Sequence, residues 1–342
     1  MNFYTLISKN SYRPSRWIKL LLLGVFFVST FIVSVNFVVD PYNITKYNLL
    51  NIQFKFARDD RTEKVNYFTT LPAFDNIMIG SSRVYSINPA KVSEHLGGTT
   101  YNFGVGTATV EDHLGILLYL QKENKLPKNI ILGVDFYTFN PDTPPNKYFL
   151  KNTTLNFLSY ENDQESCIEK LFSIDAFRAS IKTLTNHIKN KNIRSRFDSN
   201  GWAGAYEDYS KRDLEADLVV TKKEIQKELP LLYSNLAYKQ IDPKRVAYYE
   251  QIKKICAKNK IDLHVFTTPL HPELLTKFKN NPNTAQALHE FVTYLKTFEN
   301  FYNSFEDQEF YSEIRNFHGA THTSTNAGDL LMDKLLTPRQ NR

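Results

Sequence analysis

Residues 20–39 form an unbroken run without a charge, LLLLGVFFVSTFIVSVNFVV. As a helix this run rises about 30 Å, the depth of a bilayer's hydrocarbon core, and a helix apolar on every side is foreign to an otherwise amphipathic soluble domain. It is read as a transmembrane helix. Ser29, Thr30, Ser34 and Asn36 interrupt it; the hydroxyls can bond within a helix, and Asn36 lies near an end, where burial costs less. Arg13, Arg16 and Lys19 precede the run and Asp40 follows it. Basic residues favour the cytoplasmic side, so residues 1–19 are expected inside and the rest of the chain outside. The run is long for a cleaved leader and no small-x-small site follows, which favours an uncleaved signal anchor.

The chain's 342 residues, 42% of them hydrophobic, can build a full core in one large or two ordinary domains, which excludes a disordered or collagen-like chain. Its 42 Lys and Arg against 36 Asp and Glu leave +6, a dispersed excess that does not point to nucleic acid. The bilayer is the expected partner instead. Cys167 and Cys256 are the only cysteines, too few for a tetrathiolate, and the histidines and carboxylates follow no compact ligand spacing. No metal or other cofactor is expected. The two cysteines read either as two buried thiols or as one disulfide, which an outward location permits.

Beyond the membrane run, residues 40–72 read as a stalk or first packing segment, with a turn at 40–43 and a helix over 51–67. Residues 73–342 carry an α/β rhythm. Short apolar runs at 77–79, 101–106 and 129–136 end in glycine or polar turns and read as strands, with a helix over 111–123 between them. The spacing suits parallel pairing with helices on both faces. Residues of about 141–240 break the rhythm with helices over 173–191 and 214–227 and the polar aromatic run at 197–210, and are read as a lid-like insertion. The rhythm resumes with a helix over 243–258, a strand over 261–268, a helix near 285–298, a strand over 301–305 and a terminal helix.

Ligands of an open parallel sheet gather beyond the carboxyl ends of its strands. Ser81, Ser82 and Arg83, residues 102–107, Asp135 and residues 267–273 fall there. A serine on such a turn can present its hydroxyl outward and its N–H toward an oxyanion, but needs a base. Of the histidines outside expected helices, His264, His271, His318 and His322, the last stands in a loop just before the terminal helix. With these residues in place, the chain resembles the SGNH, or GDSL-like, hydrolase superfamily, and within it the membrane-anchored bacterial cell-envelope members that include polysaccharide O-acetyltransferase-like and D-alanyl-transfer-like proteins. Gly80-Ser81-Ser82-Arg83 resembles the first block, Asn102-Phe103-Gly104-Val105-Gly106 the second, and His322 with Thr323 and Gly328 the last.

The resemblance implies a three-layer, flavodoxin-like parallel-sheet domain spanning about residues 74–336. It makes Ser82 the nucleophile and His322 its base, with the oxyanion held by the N–H of Ser82 and of Gly104 or Gly106, which remain rivals. Arg83, Asn102, His271 and Trp202 are candidate substrate contacts. Two positions depart from the pattern: the aspartate usual three residues before the histidine is Gly319, and the third block presents Asp135 in place of asparagine. Asp135 is therefore one candidate to orient His322; His318, Glu313 and Asp307 are others, and a Ser-His dyad is the remaining form. The expected activity is a serine esterase or O-acyltransferase acting on an envelope glycan or lipid-linked glycan, with a membrane acyl-donor protein as partner. A binding or assembly component that keeps the fold without turnover is the alternative. Read without the resemblance, Ser81 and Ser82 are good helix caps, Arg83 can hold an internal carboxylate and His271 can shape its proline-flanked loop.

Overall fold

A computed structural model describes residues 14–41, 49–50, 52, 59–152, 154–158, 171–189, 197–203, 214–318 and 320–337. In chain order its elements are α1 (Pro14–Val39), α2 (Asp60–Thr69), β1 (Asn76–Ile79), α3 (Pro89–Leu96), β2 (Thr100–Asn102), α4 (Val110–Lys122), β3 (Asn129–Val134), α5 (Lys147–Lys151), α6 (Ile174–Ile188), α7 (Leu214–Leu236), α8 (Pro243–Lys258), β4 (Asp262–Thr267), α9 (Pro272–Asn280), α10 (Pro282–Leu295), β5 (Asn300–Tyr302), α11 (Gln308–Ser312), β6 (Phe317–His318), β7 (His322–Thr323) and α12 (Thr325–Leu336). They divide into two compact units, Met1–Arg58 with Asn162–Ile193, and Asp59–Glu161 with Arg194–Arg342.

In the first unit, α1 contains the single helix among the described residues that is long and apolar enough to cross a membrane, Arg16–Val39, with a mean hydropathy of 2.4. Its leucines and phenylalanines point outward. Asn36 and, at the helix end, Val39 are buried. The Asn36 amide donates to the carbonyls of Leu171 and Ser173 at 2.7 and 3.2 Å, and its Oδ1 accepts from the Ser180 hydroxyl at 3.0 Å. A buried amide left unbonded would be costly, so this polar side chain fixes α6 against α1. The ring edges of Phe31 and Phe177 add to the contact. The sequence expectation of one lid-like insertion over 141–240 is thus divided: α6 packs on the apolar helix, whereas α7 belongs to the second unit.

In the second unit, five parallel strands run in the order β2-β1-β3-β4-β5. Strand side chains alternate between faces. Ile77 and Ile79, Ile130 and Leu132, and Val265 pack into the core beneath α2, α4, α8 and α10, while Met78, Ile131 and Phe266 pack with α3 and α12 on the other side. These near-continuous apolar runs, legible in the sequence, are what a sheet covered on both faces requires. The helix α9 was not expected; Pro272 at its first turn is a helix-starting residue there, with His271 as cap.

Two buried cations tie the periphery to the sheet. Arg61 of α2 makes a two-pronged bond to Asp112 of α4, Nε–Oδ1 2.6 Å and Nη2–Oδ2 2.9 Å, with both side chains out of solvent. Asp112 also accepts from the N–H of Thr109, closing the start of α4. Lys64 donates to the carbonyls of Asn102 and Gly201 at 2.7 and 2.9 Å and lies over the Phe197 ring. This docks residues 197–203 on the edge strand β2, where Asn102 N–H also reaches the Asn200 carbonyl at 2.8 Å. Cys256 faces the core of α8 as a free thiol, which corrects the disulfide option; burial pushes its pKa up to about 12. Cys167 lies outside the described residues.

Candidate active site

The strand β1 ends at Ile79, and three glycines make the turn after it compact. A Cβ on Gly80, Gly104 or Gly133 would meet the Val84 side chain at 2.7, 2.3 or 2.7 Å, so each clears space for that residue. With Val84 seated, residues 82–84 form a single 3₁₀ turn. Ser81 is its cap, its hydroxyl accepting the Arg83 N–H at 3.2 Å. The Ser82 hydroxyl is left to point elsewhere.

It points to His322. The antiparallel pair β6–β7, with Phe317 opposite Thr323 and His318 opposite His322, carries the imidazole back beside the 3₁₀ turn. Thr323 bonds Ser86 through their hydroxyls at 3.2 Å, and the Ala320 carbonyl accepts the His271 N–H at 3.1 Å. Ser324 then caps α12. The outcome is a Ser82 Oγ to His322 Nε2 distance of 2.9 Å, with Thr321 Oγ1 3.2 Å from the other ring nitrogen. Both side chains are half-buried and line one cavity of about 710 Å³, together with Arg83, Thr107 and Tyr137. With Nε2 unprotonated, the serine hydroxyl donates to it, the geometry needed for proton removal during attack.

Asp135 ends β3, next to β1, at the point where the strand order reverses and a crevice opens. It does not orient His322. Its Oδ1 accepts from Arg83 Nη1 at 2.7 Å and from the Thr268 hydroxyl, and its buried Oδ2 has no hydrogen-bond partner among the described residues. The carboxylate is therefore spent on the arginine beside the nucleophile. Arg83 Nε and Nη2 make no hydrogen bond among the described residues, and its side chain borders the cavity. The other candidate acids are also committed: Asp307 to Lys334 and Tyr302, Glu313 to the N–H of Arg315. The His318 side chain and Gly319 lie outside the described residues.

Neither glycine of the second block offers a free N–H. That of Gly104 donates to Asn102 Oδ1 at 2.9 Å and that of Gly106 to Asp60 Oδ2 at 3.0 Å. Asp60 is the partner that sequence reasoning missed; it arrives on α2, and no local pattern connects it with residue 106. Asn102 is fully buried, its amide holding the carbonyls of Val84 and Ile87, so it braces the turn. His271 caps α9 against the Phe317 ring, with burial lowering its pKa. Trp202 sits over Ser86, its indole N–H 3.5 Å from that carbonyl. None of these three lines the cavity. Tyr137 does; burial first, and then the Asp135 charge, hold its phenol well above the ordinary range, so it stays protonated and donates to the Ala108 carbonyl.

Behind Asp135 lies His113, wholly buried, its Nδ1 3.2 Å from the Tyr249 hydroxyl. Burial lowers its pKa from 6.5 to about 4. The unfolded chain therefore takes up a proton near pH 6.5 that the folded chain refuses until about pH 4, and the stability present above pH 6.5 drains as the pH falls between the two, by about 3 kcal/mol in all. His113→Leu should flatten that part of the stability profile in denaturant melts; an unchanged slope would contradict the assignment.

Among the described residues no three His, Cys, Asp or Glu side chains converge as a metal site. The sequence matches no family model and no curated protein.

Proposed function

We propose that the second unit is a serine-dependent ester hydrolase or O-acyltransferase, held at a membrane by α1 and facing outward. One observation carries this: the 2.9 Å contact of Ser82 Oγ with His322 Nε2 in an open cavity at the sheet's carboxyl edge. His322 takes the Ser82 proton as Oγ bonds to the ester carbonyl carbon. The carbon–oxygen bond to the leaving alcohol then breaks, and that alcohol departs with the proton from His322. Water or a second alcohol resolves the acyl-enzyme by the reverse sequence. The outward location, expected from the basic residues before α1, makes an envelope glycan or lipid-linked glycan the acceptor and a membrane protein the acyl donor.

The oxyanion is held by the Ser82 N–H and by the Arg83 guanidinium, which Asp135 fixes beside it. Asp135 stands where the superfamily that the chain resembles usually supplies an asparagine, and here the acid holds an arginine that donates. Preorganised charge of this kind is worth about 10²–10³ in kcat. In hydrolysis of p-nitrophenyl butyrate by the full chain, Arg83→Met should lower kcat by about that factor with little change in KM, and Arg83→Lys should recover part of it. An unchanged kcat in Arg83→Met would remove Arg83 from the mechanism. The diversion of Asp135 from His322 favours the alternative, a component that binds without turnover; a wild-type chain that releases no p-nitrophenol from any ester would select it.

A further inference from the structure

The cavity that holds Ser82 and His322 is far larger than an acetyl group needs, and its wall is mostly carbon. Pro144, Pro145 and Leu150 contribute one part of it, and Leu232 and Leu236, one turn apart on the same face of α7, contribute another. Some of the polar side chains on the wall are turned to one another or to backbone, while Thr109 Oγ1, the Asn235 amide, the Lys147 ammonium and two nitrogens of Arg83 make no hydrogen bond among the described residues. The Asn146 amide donates to Thr107 Oγ1 at 2.6 Å and its oxygen accepts the Tyr148 N–H, the Thr107 hydroxyl donates to Gly106 O, and the Tyr137 hydroxyl donates to Ala108 O. What favours an aliphatic chain is the carbon surface of Pro144, Pro145, Leu150, Leu232 and Leu236, on which it can lie without a hydrogen-bond partner.

We infer that this cavity is an acyl-chain site, and that the ester attacked by Ser82 carries a medium or long aliphatic acyl group rather than acetyl; the inference rests on the serine-esterase reading given above. A methylene occupies roughly the 30 Å³ of a liquid water, so a dodecanoyl chain fills about half of the 710 Å³ and leaves room for the ester and leaving group. An acetyl group would leave nearly all of the wall wet. The carbonyl lies among the polar groups at Ser82, where the Ser82 N–H and Arg83 receive its oxygen, and the chain lies on Leu232 and Leu236. Burial of one methylene favours binding by about fourfold, so octanoyl esters should exceed acetyl esters by at least about 100-fold in kcat/KM even with incomplete burial.

The test uses the full chain in an amphipathic polymer, because alkyl detergent tails would compete. Turnover is measured on p-nitrophenyl acetate, butyrate, octanoate and dodecanoate, with Leu236→Trp, which fills the cavity, and Leu150→Trp, placed on a side chain 47% exposed so that folding is spared. The expected result is a preference for octanoate or dodecanoate and at least a tenfold fall in the octanoate-to-acetate ratio in either variant. Fastest turnover of acetate, or a ratio that neither variant moves, overturns the acyl site and leaves the esterase reading standing. Should no ester be hydrolysed, the esterase reading fails, and calorimetric titration of Ser82→Ala with decanoate decides the site by itself. Saturable binding lost in the Leu236→Trp background supports it; no binding, as when another segment of this chain fills the cavity, overturns it.

Discussion

Replacing Ser82 with alanine is expected to lower ester turnover by about 10³–10⁴-fold, and replacing His322 in the same chain should add little. The two act on one proton, so each is idle without the other, and their effects should be far from additive. The drop is set below the roughly 10⁶-fold seen where a full triad is dismantled, because Asp135 is bound to Arg83 and does not raise the wild-type rate through His322. Ser81→Ala makes the control. It removes the bond to the Arg83 N–H, at 3.2 Å, and one to the Tyr137 side chain, neither of them to the Ser82 hydroxyl or His322, and should cost activity less than about tenfold. Ester turnover in the four chains, at equal folded fraction, separates these cases; multiplicative losses in the double variant would show that serine and imidazole do not work as a pair.

The largest loss of stability is expected from Asp112→Ala. Arg61 is buried to 1% exposure and Asp112 to 0%, and the two-pronged bond between them joins α2 to α4. Removing the carboxylate leaves a guanidinium out of water without its hydrogen-bonded counter-charge, Asp59 acting only through space, and frees the Thr109 N–H as well, for a cost of about 3–5 kcal/mol. For a chain of this size that is a fall in Tm of roughly 10 °C. Removing both charges together is a different matter, since an apolar pair of similar volume escapes the desolvation both ions suffer. Arg61→Met with Asp112→Leu should therefore regain most of the loss. Thermal melts of the single and double variants measure this, and a single variant within about 1 kcal/mol of wild type would mean that the pair contributes nothing.

The sheet was legible because its evidence is local. The runs read as strands at 77–79, 129–136 and 261–268 are rich in β-branched and other apolar residues, are followed by turns, and stand far enough apart for parallel crossovers, and β1, β3 and β4 fall on them. The turn after β1 and the loop before α12 were legible as positions, and the structure brings Ser82 and His322 into contact 240 residues apart. Partner choice was not legible. Asp135 and Arg83 were each marked, but which of several groups at the strand ends would take the carboxylate depends on the neighbouring strand register. The resemblance makes Gly104 and Gly106 rival oxyanion donors, whereas their N–H groups are taken by Asn102 and Asp60 and Gly104 also makes room for Val84. The helix α6 has an amphipathic pattern that says nothing of its partner, which Asn36 reveals only once its carbonyl contacts are seen. Proline density at 269–282 hid α9, because a proline that ends one helix and one that begins another are the same letter.

The central claim is that the Ser82 hydroxyl is activated by His322 in the native chain, and the most direct test is covalent. The full chain is treated with a fluorophosphonate and digested, and the adduct is located by mass spectrometry. One adduct, on Ser82, formed at least about 100-fold more slowly in His322→Ala, is the predicted result. An adduct on Ser81, labelling that survives Ser82→Ala, or a rate indifferent to His322 would contradict it.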